Sequence, residues 1–262
     1  MEILVLCLIF GALAGLIAGL FGLGGGVVLV PFLMWLFNRE GFSYDTLMVT
    51  AVATSLATII PTSISSIFAH HKRDAVIWRI VFRMVPGILV GSVFGSIIAD
   101  KLPTTILKTV FGIYLLLVSV QMFLQAAPKA QNLTLSNPVA SSAGSAIGVL
   151  SSLLGIGGGS LTVPFLFKCQ FPMRNAVAIS SACGLPIAVA GTVSYMLLGW
   201  NVEDASEWSM GYVYLPAFGG IVASSIFLAP VGAKMAHSLP TEKLKRFFAV
   251  FLFFVGIKIL WW

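Results

Sequence analysis

The stretch GLGGGVVLVPFL at residues 22–33 decides the fold, because it returns as GIGGGSLTVPFL at residues 155–166. Each glycine in a helix interior costs roughly 1 kcal/mol relative to alanine. The runs at residues 24–26 and 157–159 therefore predict a break in a helix at two separate places. Two copies of so unusual a segment predict that the chain consists of two related halves.

The rest of the chain is strongly apolar. Of its 262 residues, 58% are hydrophobic and 9% are charged, with a mean hydropathy of +1.02, whereas a soluble domain carries roughly 25% charged residues. Several apolar runs reach the roughly 20 residues that a helix needs to cross a bilayer. These runs lie at residues 44–69, 80–99, 105–125, 176–200, 212–233 and 247–262. We therefore expect an all-α polytopic membrane protein, with the lipid bilayer as its surroundings.

Several other functions are not expected from this sequence. The net charge of +6 comes from loops rather than from a basic stripe interleaved with aromatic residues, so we expect no nucleic-acid partner. Cys7, Cys169 and Cys183 are far apart and lack metal-ligand spacing, so we expect no metal site and no cofactor. HExxH, GxSxG and paired intramembrane aspartates are absent, so we expect no catalytic residues and no enzyme.

The internal repeat extends beyond the glycine runs. The segment AVATS at residues 51–55 corresponds to AVAIS at residues 176–180, and a proline follows each at the same distance. A polar segment separates the two copies. We therefore predict a first transmembrane repeat at residues 1–126, a polar linker at 127–136 and a second transmembrane repeat at 137–262.

Equivalent loops of the two halves carry opposite charge. The loop at residues 70–83 has four Lys or Arg residues and one Asp, whereas its counterpart at 201–210 has three acidic residues and no basic one. Basic loops stay in the cytoplasm, which predicts that 70–83 and the basic loop at 234–246 are cytoplasmic and that 201–210 is external. The halves are then inverted-topology repeats, which are typical of secondary transporters. We expect eight to ten spanning or half-spanning helices, with the glycine-broken helices at the midplane.

The glycine breaks also predict a binding site. The segment after each break is too short to span, so it begins a half-helix whose first N–H groups and dipole attract an anion. The alternative is that the glycines only allow close helix packing, as four-residue spacings such as Gly11-x-x-x-Gly15 do. The glycines assigned to the site are Gly22, Gly24, Gly25, Gly26, Gly155, Gly157, Gly158 and Gly159.

Side chains in the apolar helices could complete such a site. Polar residues inside a span need a functional or structural reason, and the candidates are Thr54, Ser55, Ser160, Ser180 and Ser181. Their alternative role is a hydrogen bond to the carbonyl one turn earlier. Arg83 could reach an anion in an inner vestibule, or its side chain could extend to the lipid headgroups.

Together these motifs resemble the TauE/SafE family, also called the sulfite exporter or toluene sulfonate uptake permease family. The resemblance lies in the duplicated G-[LI]-G-G-G-x-x-x-V-P-F-L segment, the Ala-Val-Ala-x-Ser helix and the repeated Leu-Pro-x-x-x-Leu-Lys turn. It implies a secondary transporter of the bacterial inner (plasma) membrane that moves small sulfur-containing anions, such as sulfite, organosulfonates or thiosulfate, by alternating access. Export is the expected direction. The alternatives are an anion channel and a membrane scaffold or assembly protein without transport.

Overall fold

The computed structural model of the chain describes residues 2–22, 24–124, 136–202, 208–236 and 241–261. These residues form ten helices and one short antiparallel β-hairpin. The elements are α1 (Glu2–Phe21), α2 (Gly26–Arg39), α3 (Tyr44–His71), α4 (Trp78–Lys101), α5 (Thr104–Leu124), α6 (Asn137–Leu154), α7 (Gly159–Lys168), α8 (Met173–Leu198), β1 (Ser209–Met210), β2 (Val213–Tyr214), α9 (Leu215–Ala236) and α10 (Thr241–Trp261). Six of them, namely α1, α3, α4, α5, α8 and α9, are long and apolar enough to cross a bilayer. The predicted all-α polytopic membrane fold is confirmed.

Both glycine runs interrupt a helix. α1 ends at Phe21 and α2 begins at Gly26, while α6 ends at Leu154 and α7 begins at Gly159. α2 has 14 residues and α7 has 10, which corresponds to about 21 Å and about 15 Å at 1.5 Å per residue. Both lengths fall short of the roughly 30 Å of a bilayer's hydrocarbon core. α2 and α7 are therefore half-helices.

Four helices of the first half pack mainly on helices of the second half, while α2 packs mainly on α3. α1 packs along α9 and α4 along α6, while α3 packs against α8 and α5 against α10. If each helix is exchanged with its counterpart in the other half, α1 with α6 and so on to α5 with α10, the same four pairs result. α3 and α8 run in opposite directions, since Leu56 lies beside Gly191 and Ser66 bonds to Ser181. The boundaries of the two repeats stay a prediction, and residues 127–135 of the linker lie outside the described residues.

Two contacts show which loops share an end of the molecule. Asn175, at the start of α8, donates to the carbonyl of Ala75 at 2.9 Å, and this joins the basic loop after α3 to the loop before α8. Tyr212, in the hairpin, donates to the Asp100 carboxylate at 2.8 Å, at the far end of α4. Burial and the neighbouring Asp100 raise the pKa of the Tyr212 phenol, so Tyr212 stays a neutral donor. Sidedness in the membrane stays a prediction, and the acidic residues that support it, Glu203, Asp204 and Glu207, lie outside the described residues.

Glycines at four-residue spacing allow the closest helix contacts. Gly15 in α1 lies so near α9 that an added Cβ would be 2.5 Å from the carbonyl oxygen of Ser225. Gly91 in α4 lies equally near α6, where a Cβ would be 2.1 Å from the carbonyl oxygen of Ser145. These faces are stabilised by backbone-to-backbone packing, which small residues permit in membrane proteins.

We expect Gly91→Ala to lower the free energy of unfolding by about 1–3 kcal/mol, because the α4 and α6 backbones must move apart. Gly219→Ala in α9 is the matched control, since a Cβ at Gly219 meets no atom within 4 Å. Thermal unfolding midpoints of both variants in detergent measure the difference. Equal midpoints would mean that the α4–α6 contact is not as close as described.

Candidate functional site

The two glycine breaks touch each other. A Cβ built on Gly24 would lie 2.7 Å from the Cα of Gly157, and a Cβ built on Gly157 would lie 2.9 Å from the Cα of Gly24. Two residues further along, a Cβ on Gly26 would lie 2.2 Å from the carbonyl oxygen of Gly155. The backbones of the two halves therefore cross where only glycine leaves enough room.

The backbone at the crossing also takes a conformation that glycine favours. φ lies between 67° and 76° at these glycines, namely Gly22, Gly24, Gly25, Gly155 and Gly158. A left-handed backbone costs other L-residues roughly 1–2 kcal/mol. Gly25 and Gly158 are the residues immediately before α2 and α7, so this backbone turn redirects the chain into each half-helix. The breaks thus require glycine for two reasons, close approach and backbone conformation.

Each half-helix begins with amide groups that lie at the crossing. In α7, Leu161 and Thr162 donate to the carbonyl of Gly158 at 3.1 and 2.7 Å. The amides of Gly159 and Ser160 have no hydrogen-bond acceptor among the described residues. Such first-turn donors, with the positive end of the helix dipole, are the groups that bind anions at helix starts.

Two serines join each break to the opposite half. Ser55 in α3 donates to the carbonyl of Gly155 at 2.8 Å, and Ser180 in α8 donates to the carbonyl of Gly22 at 2.9 Å. Both side chains are fully buried. We call these two hydrogen bonds the crossed serine bonds. The hydroxyls were candidates for substrate binding or for bonding within their own helix, and in this conformation each holds the end of the other half's broken helix instead.

We expect Ser55→Ala and Ser180→Ala each to lower the free energy of unfolding by about 1 kcal/mol, the net value of one buried hydrogen bond. The two losses should be equal, because the acceptors, the carbonyls of Gly155 and Gly22, are at equivalent positions of the repeat and the two bonds have nearly the same length. Ser119→Ala is the matched control, since Ser119 in α5 donates to the Ala249 carbonyl of α10 at 2.8 Å, away from the breaks. Unfolding followed by circular dichroism measures all three variants, and markedly unequal losses at Ser55 and Ser180 would contradict the symmetry.

Three other predicted site residues have different roles. Thr54 accepts a hydrogen bond from the Tyr214 amide at 3.0 Å, which ties α3 to the hairpin. Ser160, at the start of α7, is hydrogen-bonded to the hydroxyl of Tyr114 in α5. Arg83 is partly buried in α4 and is not among the residues that line the cleft described next.

A narrow cleft lies against the crossing glycines. Its walls are small or hydroxyl-bearing residues with no charged side chain: Ala18, Gly22, Gly24, Thr62, Ser63, Ser66, Gly157, Ser181 and Gly184. Ser66 donates to Ser181 at 3.3 Å, so α3 and α8 meet across it. The cleft has essentially no volume that a water molecule could enter, so it is closed in this conformation. Of the predicted site, the cleft brings together Gly22, Gly24, Gly157 and Ser181.

The hydroxyls contributed by α3 were not predicted from the sequence. Thr62, Ser63 and Ser66 are buried and line the cleft. A signal was present, since Thr58, Thr62 and Ser66 recur every four residues and so share one face of the helix. When the AVATS and AVAIS segments are aligned, the equivalents of the three cleft residues in α8 are Ile187, Ala188 and Gly191. The polar face therefore belongs to one half alone.

In the described part of the chain, no group of three or more His, Cys, Asp or Glu residues could hold a metal ion. The three cysteines, Cys7, Cys169 and Cys183, are free thiols. The candidate site thus consists of backbone amides and hydroxyl groups.

The fold and this crossing define a polytopic helical membrane protein with two discontinuous helices. The model of one protein family, described as sulfite exporter TauE/SafE, matches residues 7–259. The chain therefore belongs to the TauE/SafE family, and it is a multi-pass membrane transporter.

Three relatives are similar over nearly their whole length. A probable membrane transporter protein of Haemophilus influenzae is 37% identical over 257 residues, which cover 98% of this chain and 97% of the relative. A probable membrane transporter protein of Methanocaldococcus jannaschii is 28% identical, with 98% and 96% covered. The probable membrane transporter protein YunE of Bacillus subtilis is 28% identical, with 98% and 97% covered. No solved structure gives a significant match.

Proposed function

We propose that this protein is a secondary transporter, not an enzyme, that moves small sulfur-containing anions such as sulfite, organosulfonates or thiosulfate across the bacterial inner membrane, with export as the direction. The observation that carries the proposal is the crossing of two half-helices beside a cleft lined by hydroxyl groups and free of charged side chains. The family description, sulfite exporter, supports the substrate class.

The chemistry of the cleft suits an oxyanion. Hydroxyl and backbone N–H groups donate hydrogen bonds, and a hydrogen bond to a charged group contributes roughly 1.5–3 kcal/mol. Ser63 and Ser66 from α3 and Ser181 from α8 would donate to sulfonate or sulfite oxygens. A site of neutral donors binds the anion without a buried lysine, whose tight ion pair would slow release.

The way the halves meet supports alternating access. The cleft lies between α3 and α8, which belong to different halves and run in opposite directions. Inverted repeats permit rocking of one half against the other around a site between them. Since the cleft is closed in this conformation, binding requires α3 and α8 to separate, and the Ser66–Ser181 bond must then break.

Counterflow of radiolabelled sulfite in proteoliposomes tests the proposal. A carrier accumulates labelled substrate transiently against excess unlabelled substrate inside and saturates with concentration. Flux without counterflow or saturation would instead identify an anion channel, and absence of flux for every sulfur anion tried would favour a scaffold or assembly protein. An electrogenic sulfite flux whose rate does not change with an imposed pH gradient would exclude proton symport.

Thermal stabilisation identifies the substrate independently of transport. A ligand that binds the folded state at 100 times its Kd adds about 2.7 kcal/mol of stability. Sulfite, thiosulfate, sulfoacetate and toluene sulfonate, compared with chloride at equal ionic strength, form the panel. The expected result is a higher unfolding midpoint with at least one sulfur anion.

A further inference from the structure

An open groove faces the lipid between α1, α2 and α10. Its volume is about 770 Å3, and it is lined mostly by apolar side chains. At its inner end lie Val28 of α2 and Phe251 of α10, and at its mouth lie Arg39 of α2 and Lys258 of α10. Arg39 and Lys258 are both exposed. The groove is thus apolar in its depth and cationic at its mouth.

The length of the groove matches half a bilayer. From Val28 to Arg39 the helix rises about 16 Å, at about 1.5 Å per residue. The hydrocarbon core of a bilayer is about 30 Å thick, so one leaflet is about 15 Å deep. An acyl chain that fills the groove would therefore end near the glycine crossing, while its headgroup would lie beside Arg39 and Lys258.

We infer that this groove binds one anionic phospholipid, with the phosphate between Arg39 and Lys258 and an acyl chain along α2. The two cations supply the charge complementarity for the phosphate of an anionic headgroup. The Arg39 guanidinium lies 5.8 Å from the ring centroid of Trp35, a cation–π contact that orients it at the mouth. A free anion would use the mouth alone and would leave the apolar depth uncovered.

A difference between the halves gives this lipid a role. In the second half, Ser160 at the start of α7 is bonded to Tyr114 of α5, so a neighbouring helix supports the half-helix. The sequence repeats align Ser160 with Val27 and Tyr114 with Phe251, and these residues have no hydroxyl group. Phe251 lines the groove between α2 and α10, so the groove lies where the first half has no such hydroxyl pair. The acyl chain supports α2 in place of the hydroxyl pair.

Native mass spectrometry of the purified full-length protein tests the inference, and its readout does not depend on transport or on the proposed substrate. The protein is released from nanodiscs containing equal amounts of phosphatidylglycerol and phosphatidylcholine. We expect one phosphatidylglycerol to be retained, and the double variant Arg39→Gln/Lys258→Gln to lose that retention by at least tenfold. Val255→Trp places a large apolar side chain in the groove without changing the charge, and it should also displace the lipid.

Matched controls separate this site from general attraction of anions. Lys168→Gln removes an exposed cation at the end of α7, the other half-helix, and should leave retention unchanged. The charge-conserving variant Arg39→Lys/Lys258→Arg should keep the lipid. Its retention would show that substitution at these two positions does not by itself disrupt the groove, so that a loss in the Gln variant reflects the missing charges. Glycerol 3-phosphate and inorganic phosphate should not compete with the lipid.

Three results would overturn the inference. Unchanged retention in Arg39→Gln/Lys258→Gln would remove the role of the two cations. An equal loss in Lys168→Gln would indicate a non-specific surface effect, and competition by inorganic phosphate would indicate a free-anion site. A dimer mass without bound lipid, abolished by Val255→Trp, would assign the groove to a second copy of the chain.

Discussion

Gly24→Ala is expected to abolish transport and to lower the free energy of unfolding by about 2–5 kcal/mol. The new Cβ would lie 2.7 Å from the Cα of Gly157, a backbone atom that cannot rotate away. Overpacking of this kind costs about 1–3 kcal/mol, and the φ of 71° adds about 1–2 kcal/mol for a residue with a Cβ. Thermal unfolding in detergent and substrate uptake in proteoliposomes measure the two effects.

Gly41→Ala is the control that separates the two costs. Gly41 has a φ of 78°, but a Cβ there meets no atom within 4 Å. In Gly41→Ala the free energy of unfolding should therefore fall only by the cost of the left-handed backbone conformation, about 1–2 kcal/mol. Transport activity should be kept. If Gly24→Ala were as stable and as active as Gly41→Ala, the two breaks would not be in contact.

The second large effect is expected for the double variant Ser66→Ala/Ser181→Ala. The two hydroxyls bond to each other at 3.3 Å, and replacing both partners of a buried hydrogen bond by apolar groups is nearly neutral for stability. If both hydroxyls donate to the substrate, the variant loses two hydrogen bonds to a charged group, about 3–6 kcal/mol in total. At about 1.4 kcal/mol per factor of ten in affinity, the Kd for sulfite rises at least 100-fold.

Substrate-dependent thermal stabilisation and uptake kinetics measure this loss. Ser119→Ala again serves as the control, because it removes a hydrogen bond between helices far from the cleft. It should lose a little stability and no affinity. Normal sulfite affinity in Ser66→Ala/Ser181→Ala would exclude the cleft as the binding site and leave the fold unaffected.

The helices could be predicted from sequence, because their apolar length and the glycine runs are local properties. The half-helix predicted after the first break agrees with α2 at Gly26–Arg39. The predicted placement of both glycine-broken helices at the midplane is compatible with the contact between the two breaks. Local signals of this kind do not depend on which helix lies next to which.

The partners of the hydroxyls could not be predicted in the same way. Ser55 and Gly155 are 100 positions apart in the chain, and Ser180 and Gly22 are 158 apart. A buried serine in an apolar helix indicates that a partner exists, but the rotation of α3 about its axis decides whether that partner is a carbonyl or a ligand. For the same reason Thr62, Ser63 and Ser66 were missed, although Thr62 and Ser66 follow Thr58 at a regular four-residue spacing.

The crossed serine bonds and the pairing of α1 with α9 have a consequence for biogenesis. When the ribosome has made the first half, the carbonyl of Gly22 still lacks Ser180, and α1 still lacks the helix along which it packs. The nascent chain thus inserts α1 long before its final neighbour is synthesised, and the native packing of α1 along α9 begins only after translation has passed α9. Two separately expressed fragments, divided within the linker, should each be degraded alone and become stable when produced in the same cell.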